Sequence, residues 1–151
     1  ERKSLEREVE RLRQQQSLAQ LNDLFDRSTE IQGSIRLVGG EIRHADMDLL
    51  KRLGYEALEK AKEATVTVLG ARDEEEGKVY IAAAVTDDLV SDRNMNAGAL
   101  VGILGRMLGG GGGGQPNLAT AGGRNPEKLK EVFDQLPSIV TEELDGAEGD
   151  R

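Results

Sequence analysis

A run of six glycines, Gly109 to Gly114, constrains the fold of this chain more than any other feature of its sequence. Glycine loses more conformational freedom on folding than any other residue, so ordering such a run costs free energy. Flexible linkers tolerate glycine runs because they stay unordered. This run, however, lies between a predicted helix and a predicted short strand, inside the folding unit. It is therefore predicted to be an ordered loop.

Two interpretations of the loop stay open. A loop without side chains lets backbone N–H groups reach an anion or a nucleic-acid backbone. The alternative is a structural glycine turn that binds nothing. The net charge is −8, yet residues 89–130 carry five basic and two acidic side chains. A local contact with a polyanion is therefore compatible with the charge distribution, whereas electrostatic binding of nucleic acid over a broad surface is disfavoured. The run is neither a Walker loop, since no Lys-Ser or Lys-Thr follows, nor a dinucleotide fingerprint, since it follows a helix.

The surrounding pattern predicts an α/β (α+β) fold, in which a long N-terminal helix precedes a small mixed sheet packed with helices. The predicted strands are 35–42, 65–71, 78–85 and 117–121, and the predicted helices are 1–27, 46–64, 96–108 and 125–136. Gly39-Gly40 indicates a bulge or a close backbone approach in the first strand. Gly98, Gly102 and Gly105 share one side of their helix, which predicts that another backbone passes close by. Pro137 is predicted to break the last helix.

The N-terminal helix carries a coiled-coil seam. Leu5, Val9, Leu12, Gln16 and Ala19 follow one another at spacings of four, three, four and three. Such a seam is predicted to pair with another chain or another part of a parent protein, the alternative being that it folds back on its own domain. The predicted organisation is a helical arm at 1–32, a globular domain at 33–144 and a frayed acidic tail at 145–151.

Several classes of site are excluded or disfavoured by composition. The chain has no Cys and a single histidine, His44, so a thiolate or multi-histidine metal site cannot form. His44 is interpreted as a surface or structural residue, and Asp87-Asp88 as a helix cap or turn. No apolar run of 18 residues is present, so a soluble, cytoplasmic protein without a membrane partner is expected. The start at Glu1, already in a helical pattern, favours a fragment.

Residues 85–129 carry a specific signature, VTDDLVSDRNMNAGALVGILGRMLGGGGGGQPNLATAGGRNPEKL. This stretch resembles the C-terminal domain family of bacterial alanyl-tRNA synthetases, which is part of the DHH-associated family. The likeness extends back through KVYIAAAV and TVTVLGA, and the leading helix resembles the linker of that family. One departure is that Gln115 stands where the family commonly has a basic residue, and Thr120 where it has Gln.

The resemblance implies a module that binds the outer corner, or elbow, of tRNA, couples the aminoacylation and editing domains, and supports homodimerisation through its helix. ATP binding, alanine activation and the editing zinc belong to upstream domains of that family. No catalytic residue, metal ligand or cofactor is therefore expected in this chain, although its parent is expected to be an alanine–tRNA ligase.

The residues expected to contact tRNA are the glycine run and the polar residues around it. They are Arg93, Arg106, Gly109, Gly110, Gly111, Gly112, Gly113, Gly114, Gln115, Asn117, Arg124 and Lys128. Arg and Lys would meet phosphates, while the two amides could bond sugar hydroxyls or base edges. Dimerisation is assigned to Leu5, Val9, Leu12 and Ala19. Two alternatives remain: a purely structural dimerisation module, and a substrate-presenting domain of a DHH-type phosphoesterase.

Overall fold

The computed structural model describes residues 2–149, and their centre is a six-stranded mixed sheet. The strands are β1 (Thr29–Ile31), β2 (Ile35–Glu41), β3 (Thr65–Asp73), β4 (Lys78–Val85), β5 (Gly111–Gly114) and β6 (Leu118–Gly123). Their order across the sheet is β1-β2-β3-β4-β6-β5. The β2–β3 pair is parallel, and every other pair is antiparallel. The glycine run therefore lies at one edge of the sheet.

Within the described residues, five helices cover the two faces of this sheet. They are α1 (Arg2–Asp26), α2 (Met47–Lys60), α3 (Asp87–Arg93), α4 (Ala97–Met107) and α5 (Leu129–Gly149), with a short 3₁₀ turn at Pro126–Lys128. Asp46 and Asn96 cap α2 and α4, because each side chain accepts a hydrogen bond from a backbone N–H three residues further on. The predicted fold class, a long N-terminal helix followed by a small mixed sheet packed with helices, is confirmed.

The central strands β3 and β4 separate two hydrophobic layers. On one face, α1 and α2 pack through Leu21, Leu24, Phe25, Leu50, Leu53 and Ala57. On the other face, α4 and α5 pack through Leu100, Leu104, Leu129, Val132, Leu136 and Val140. β-Branched and small apolar residues fill both faces of the two strands, which is what a strand buried on both sides requires.

The Gly39-Gly40 pair lets helices approach the sheet from opposite sides. A Cβ built on Gly39 would lie 2.8 Å from a methyl group of Leu136 in α5, and one built on Gly40 would meet Leu24 of α1. The β2–β3 register runs through both glycines without interruption. Helix side chains, and not another backbone, approach these glycines closely, and the predicted bulge is wrong.

The helix break predicted at Pro137 is wrong because packing outweighs local sequence preference. The helix α5 continues through Pro137, which is exposed, while its apolar stripe stays buried from Leu129 to Leu144. Thr29–Ile31 forms a strand because it pairs with β2 at the sheet edge. The helix α5 extends to Gly149, and residues 150–151 of the predicted acidic tail lie outside the described residues.

The paired aspartates Asp87 and Asp88 lie in the first turn of α3. The Asp88 carboxylate accepts a hydrogen bond from the backbone N–H of Ala64 at 2.9 Å. This carboxylate therefore joins the start of α3 to the segment that precedes β3.

The helix α1 has two halves. Every described residue up to Gln16 is exposed, whereas Ser17, Leu21, Leu24 and Phe25 are buried against the domain. The side-chain amide of Gln20 fixes the second half, since its Oε1 accepts from the backbone N–H of Arg43 at 2.7 Å. The first half therefore projects without a contact that would bury its seam.

Candidate nucleic-acid interface

Four of the six glycines in the run form a strand, which corrects the prediction of a loop at these positions. Gly111 to Gly114 form β5, which pairs with β6 in the register Gly111↔Gly122 to Gly114↔Ala119. Residues 115–117 connect the two strands, and the backbone N–H of Gln115 donates to the carbonyl of Leu118 at 2.9 Å. A strand without side chains was not recognised because strand propensity is a property of side chains that pack on a pleated surface.

The glycines of the run differ in how much space lies around them. A Cβ on Gly110 or Gly112 would collide with the backbone of β6, and one on Gly114 would lie 2.8 Å from the Cα of Ala119. Gly114 also has φ +155°, a conformation that side chains rarely adopt. A Cβ on Gly111 or Gly113, by contrast, would meet nothing within 4 Å. Gly109 also has a positive φ, +81°. The fold therefore requires glycine at four of the six positions and leaves Gly111 and Gly113 without a packing reason.

The helix α4 lies against one face of β5. A Cβ on Gly105 would lie 3.0 Å from the Cα of Gly111, and one on Gly98 would lie 3.2 Å from the carbonyl oxygen of Gly114. The backbone predicted to pass close to this helix is thus β5, as confirmed at these two positions. The prediction is wrong for Gly102, since a Cβ there would meet nothing within 4 Å.

The opposite face of β5 is open. Leu118 contacts Gly54 of α2, so Leu118, Thr120 and the side-chain position of Gly122 face the layer that contains α2. The antiparallel register places Gly113 beside Thr120 and Gly111 beside Gly122 on this face. The helix α2 does not extend over β5, because every residue of that strand is exposed. We call this flat face of Gly111, Gly113, Thr120 and Gly122 the glycine shelf.

Backbone polar groups add to the shelf along its outer edge. The hydrogen bond from the N–H of Gln115 to the carbonyl of Leu118 marks a hydrogen-bonded position of the ladder, and such positions alternate with non-hydrogen-bonded ones between antiparallel strands. Gly113 and Gly111 therefore turn their polar groups toward β6, while those of Gly112 point toward the open edge. A backbone donor and acceptor are available there without any side chain in front of them.

Basic residues gather at the end of the hairpin where α4 stops. Arg106 lies in the last turn of α4, and the backbone N–H of Arg124 donates to the carbonyl of Leu108 at 2.9 Å. Lys128 follows in the 3₁₀ turn and, like the two arginines, is exposed. The structure thus brings these three predicted residues to the same end of the glycine run.

Two further residues at this end were not predicted. Lys78 and Tyr80 of β4 line a groove with Gly109, Gly110, Gly122, Gly123 and Arg124. Their position follows from strand pairing, which no local motif reveals: Tyr80 is opposite Gly122 in the register of β4 and β6. Arg72 is near the same end of the sheet but is bound to Glu41 at 3.0 Å, which raises the pKa of Arg72. Its charge is therefore already compensated.

The polar residues at the other end of the hairpin have different surroundings. Gln115 is exposed, and Asn117 lines a groove with Leu58, Glu59, Ala61, Lys62, Thr86 and Asp87. The carbonyl of Pro116 accepts from the backbone N–H of Ala97 at 2.8 Å, which attaches the turn to the start of α4. Because Glu59 and Asp87 lie in this groove, the turn end is less basic than the Arg124 end.

Arg93 is not brought to the glycine run. It ends α3, and its Nη2 donates to the side-chain oxygen of Gln32 at 2.7 Å. Gln32 lies between β1 and β2, at the sheet edge opposite β5. Five strand spacings separate the two edge strands, a distance of about 24 Å.

The seam residues of the arm are all exposed. The exposed fractions are 67% for Leu5, 48% for Val9 and 44% for Leu12, and Ala19 is also exposed. Ala19 lies in a cleft between α1 and the end of β2, together with Gln16, Gln20, Asp23, Arg43 and His44. Large apolar side chains at this exposure are typical of a surface that another helix covers.

The single histidine lies on the surface, away from the glycine run. His44 is exposed, has φ +60° and lines the clefts between α1 and the domain. Within residues 2–149, no group of three or more His, Cys, Asp and Glu side chains is placed to hold a metal ion. In that same part of the chain, no helix combines the length and apolarity needed to cross a membrane.

Known proteins resemble this chain in sequence. The DHHA1 domain family matches residues 37–142. The chain is 44% identical over 145 residues to an alanine–tRNA ligase of Salinibacter ruber, a match that covers 96% of this chain and 15% of that protein. It is 35% identical over 144 residues to an alanine–tRNA ligase of Alkaliphilus oremlandii, covering 95% of this chain and 16% of that protein. The chain thus spans about one sixth of the length of these relatives.

A solved structure shows the same fold. The C-Ala domain of Aquifex aeolicus alanyl-tRNA synthetase superposes with a TM-score of 0.66 and 26% sequence identity. The superposition covers 76% of this chain and 97% of that domain.

Proposed function

The chain belongs to the DHHA1 domain family, and on that premise we propose that it is the C-terminal tRNA-binding domain of an alanine–tRNA ligase. It binds the elbow of tRNA, where the D and T loops meet, through the glycine shelf. The enzymatic steps, with ATP and zinc, belong to other domains of the parent, which this domain helps to hold on one tRNA.

The observation that carries the proposal is the open space over Gly111 and Gly113. A Cβ at either position would meet nothing within 4 Å, so no contact within the fold excludes a side chain there. Glycine in a strand lowers stability and often marks a place where a ligand or another backbone approaches closely. A flat, side-chain-free shelf suits a base or base pair, which presents a flat face of its own.

Charge supports RNA as the ligand. Arg106, Arg124 and Lys128 lie at one end of the glycine run on a chain whose net charge is −8. Lys78 adds a fourth cation beside Arg124. Concentrating positive charge at one site of an acidic protein favours a local phosphate contact over general binding along RNA.

The test is a titration of tRNA at two salt concentrations, with a tRNA whose D and T loops are disrupted as competitor. We expect saturable binding that weakens with salt and that the disrupted tRNA competes for poorly. Gly113→Leu places a side chain on the shelf and is expected to lower the affinity at least tenfold. The matched control is Glu30→Leu on the opposite edge strand, which should leave affinity unchanged.

A charge variant tests the contribution of the basic residues separately from that of the shelf. Replacing Arg106, Arg124 and Lys128 together should weaken binding and flatten the salt dependence by about one unit of slope for each phosphate that no longer has a cationic partner. Unchanged affinity and slope would show that these residues do not contact tRNA. Absence of binding to either RNA would favour a purely structural module.

We also propose that the exposed seam of α1 pairs with the same helix of a second copy. Leu5, Val9 and Leu12 lie on one stripe and are 44–67% exposed. Sedimentation equilibrium should give a dimer whose dissociation constant rises when Val9 and Leu12 are both changed to Asp. A wild-type chain that stays monomeric at high concentration would indicate that another part of the parent covers the seam.

A further inference from the structure

One side of α2, which carries Lys51, Tyr55 and Leu58, lies next to β6, and we call this side the wall. Gly54 of α2 contacts Leu118, and Leu58 lines a groove with Asn117, so this side of the helix faces β6. Lys51, Tyr55 and Leu58 are spaced by four and three residues, which places them on one stripe of the helix. The stripe lies on the side of α2 that faces β6.

Tyr55 is exposed in a chain that has very few aromatic side chains. The sequence contains two Tyr and two Phe. Phe25 is buried, and Tyr80 and Phe133 pack against the two cores, but Tyr55 is 53% exposed. Packing of the domain therefore does not account for the position of this ring.

The two ends of the wall differ in charge. Lys51 lies two turns before Leu58, about 10 Å along the helix axis. The pairing of the strands shows that the Lys51 end of α2 lies toward the end of the sheet where Lys78, Tyr80 and Arg124 line their groove. Lys62 lies at the other end, where Glu59 and Asp87 share its groove. The wall is thus more basic at the Lys51 end than at the Lys62 end.

We propose that this wall is a second part of the RNA surface, in which Tyr55 stacks on an unpaired base and Lys51 binds the adjacent phosphate. The inference rests on the proposed function, because the RNA must already lie on the glycine shelf. Aromatic side chains stack on splayed bases of single-stranded loops, which any base sequence can provide. The acidic groove near Asn117 repels phosphate and limits how far the backbone extends along the wall.

Substitutions at exposed residues of this one helix should have unequal effects. Tyr55→Ala should weaken tRNA binding by about five- to a hundredfold, and Tyr55→Phe should restore most of the affinity, because stacking needs the ring and not the hydroxyl. The effect of Tyr55→Ala should change little with salt. Lys51→Ala should weaken binding severalfold and lower the salt slope by about one.

Two other basic residues serve as controls that carry the same change of charge. Arg52 is adjacent to Lys51 but lines the cleft with α1, and Lys62 lies beside Glu59 and Asp87. Arg52→Ala and Lys62→Ala should each change affinity less than twofold. Thermal melting should be unchanged in all four alanine variants, since every one of these side chains is exposed.

The outcomes separate this inference from the function on which it rests. If the wild type binds tRNA and Gly113→Leu abolishes binding, but Tyr55→Ala and Lys51→Ala behave like Arg52→Ala, the wall is not an RNA surface while the shelf remains one. If Tyr55→Ala changes self-association in sedimentation and leaves tRNA affinity alone, the ring binds protein, and the inference is overturned. A wild-type chain that binds no tRNA overturns both.

Discussion

The glycines of the inner strands and those of the edge strand β5 have opposite surroundings. Gly39 and Gly70 lie under α5, where a Cβ would come within 2.8 Å of Leu136 and Leu129 respectively. Gly111 and Gly113 lie at the sheet edge, where a Cβ would meet nothing within 4 Å. The inner glycines are explained by the packing of helices on the sheet, while the two edge glycines have no such explanation.

This difference shows how a glycine-rich sequence can be divided into structural and functional positions. A glycine that admits no side chain is required by the fold, whatever the protein does. A glycine that could carry a side chain, in a strand that such a side chain would stabilise, is more informative about an external ligand. Successive residues of β5 face opposite sides of the sheet. Glycines that admit no side chain therefore alternate with glycines that could carry one, and the two kinds can be compared within one strand.

The largest expected effect contrasts Gly112→Ala with Gly113→Ala. A Cβ on Gly112 would collide with the carbonyl of Thr120 and the Cα of Ala121, which are backbone atoms and cannot rotate away. We expect Gly112→Ala to lower the free energy of unfolding by about 3 kcal/mol, at the upper end of overpacking costs. Gly113→Ala should raise it by about 0.4–1 kcal/mol, because it restricts the unfolded chain.

Urea unfolding monitored by circular dichroism measures both variants. Equal destabilisation by the two substitutions would show that β5 does not alternate as described. A small effect of both would show that the edge strand contributes little to global stability. In that case hydrogen exchange at β6 would report the local cost at Gly112.

An intermediate effect is expected at the inner glycine Gly70. A Cβ there would lie 2.8 Å from a Leu129 methyl group and 3.1 Å from the ring of Phe133. These are side-chain atoms that can shift within a packed layer, so Gly70→Ala should cost about 1–2 kcal/mol. In a double-mutant cycle with Leu129→Ala, the cost should fall, because the second change creates room. Additive effects would place the strain elsewhere.

Much of the fold could be predicted from periodicity and turn chemistry. The strands at residues 65–71 and 78–85 are β-branched or continuously apolar, and the helix after Asn96 has a cap and an apolar stripe. The wrong predictions share a physical cause. Pro137 and the glycines of β5 carry unfavourable local preferences that burial of a helix stripe or pairing with a neighbouring strand overrides.

The candidate site could be predicted only in part. Arg106, Arg124 and Lys128 are near the glycine run in sequence, and the structure keeps them near it in space. Arg93 was grouped with them by sequence proximity, but α3 directs it toward Gln32. Lys78 and Tyr80 were missed since they come to the groove beside Arg124 through strand pairing, which is a long-range property.

The smallest expected effect sharpens the comparison within a single helix. Gly102 and Gly105 are both in the interior of α4, where alanine is favoured over glycine by about 1 kcal/mol. A Cβ on Gly105 would lie 3.0 Å from Gly111, whereas one on Gly102 would meet nothing within 4 Å.

Gly102→Ala should therefore stabilise the chain by up to about 1 kcal/mol in urea unfolding, without changing tRNA affinity. Gly105→Ala should not increase the free energy of unfolding, because the helix must move away from β5. If Gly105→Ala also weakens tRNA binding while its stability stays near that of the wild type, the position of β5 over α4 sets the shape of the shelf. If both alanines stabilise equally, the contact between α4 and β5 is loose enough to absorb a methyl group, and the requirement for glycine in this helix disappears.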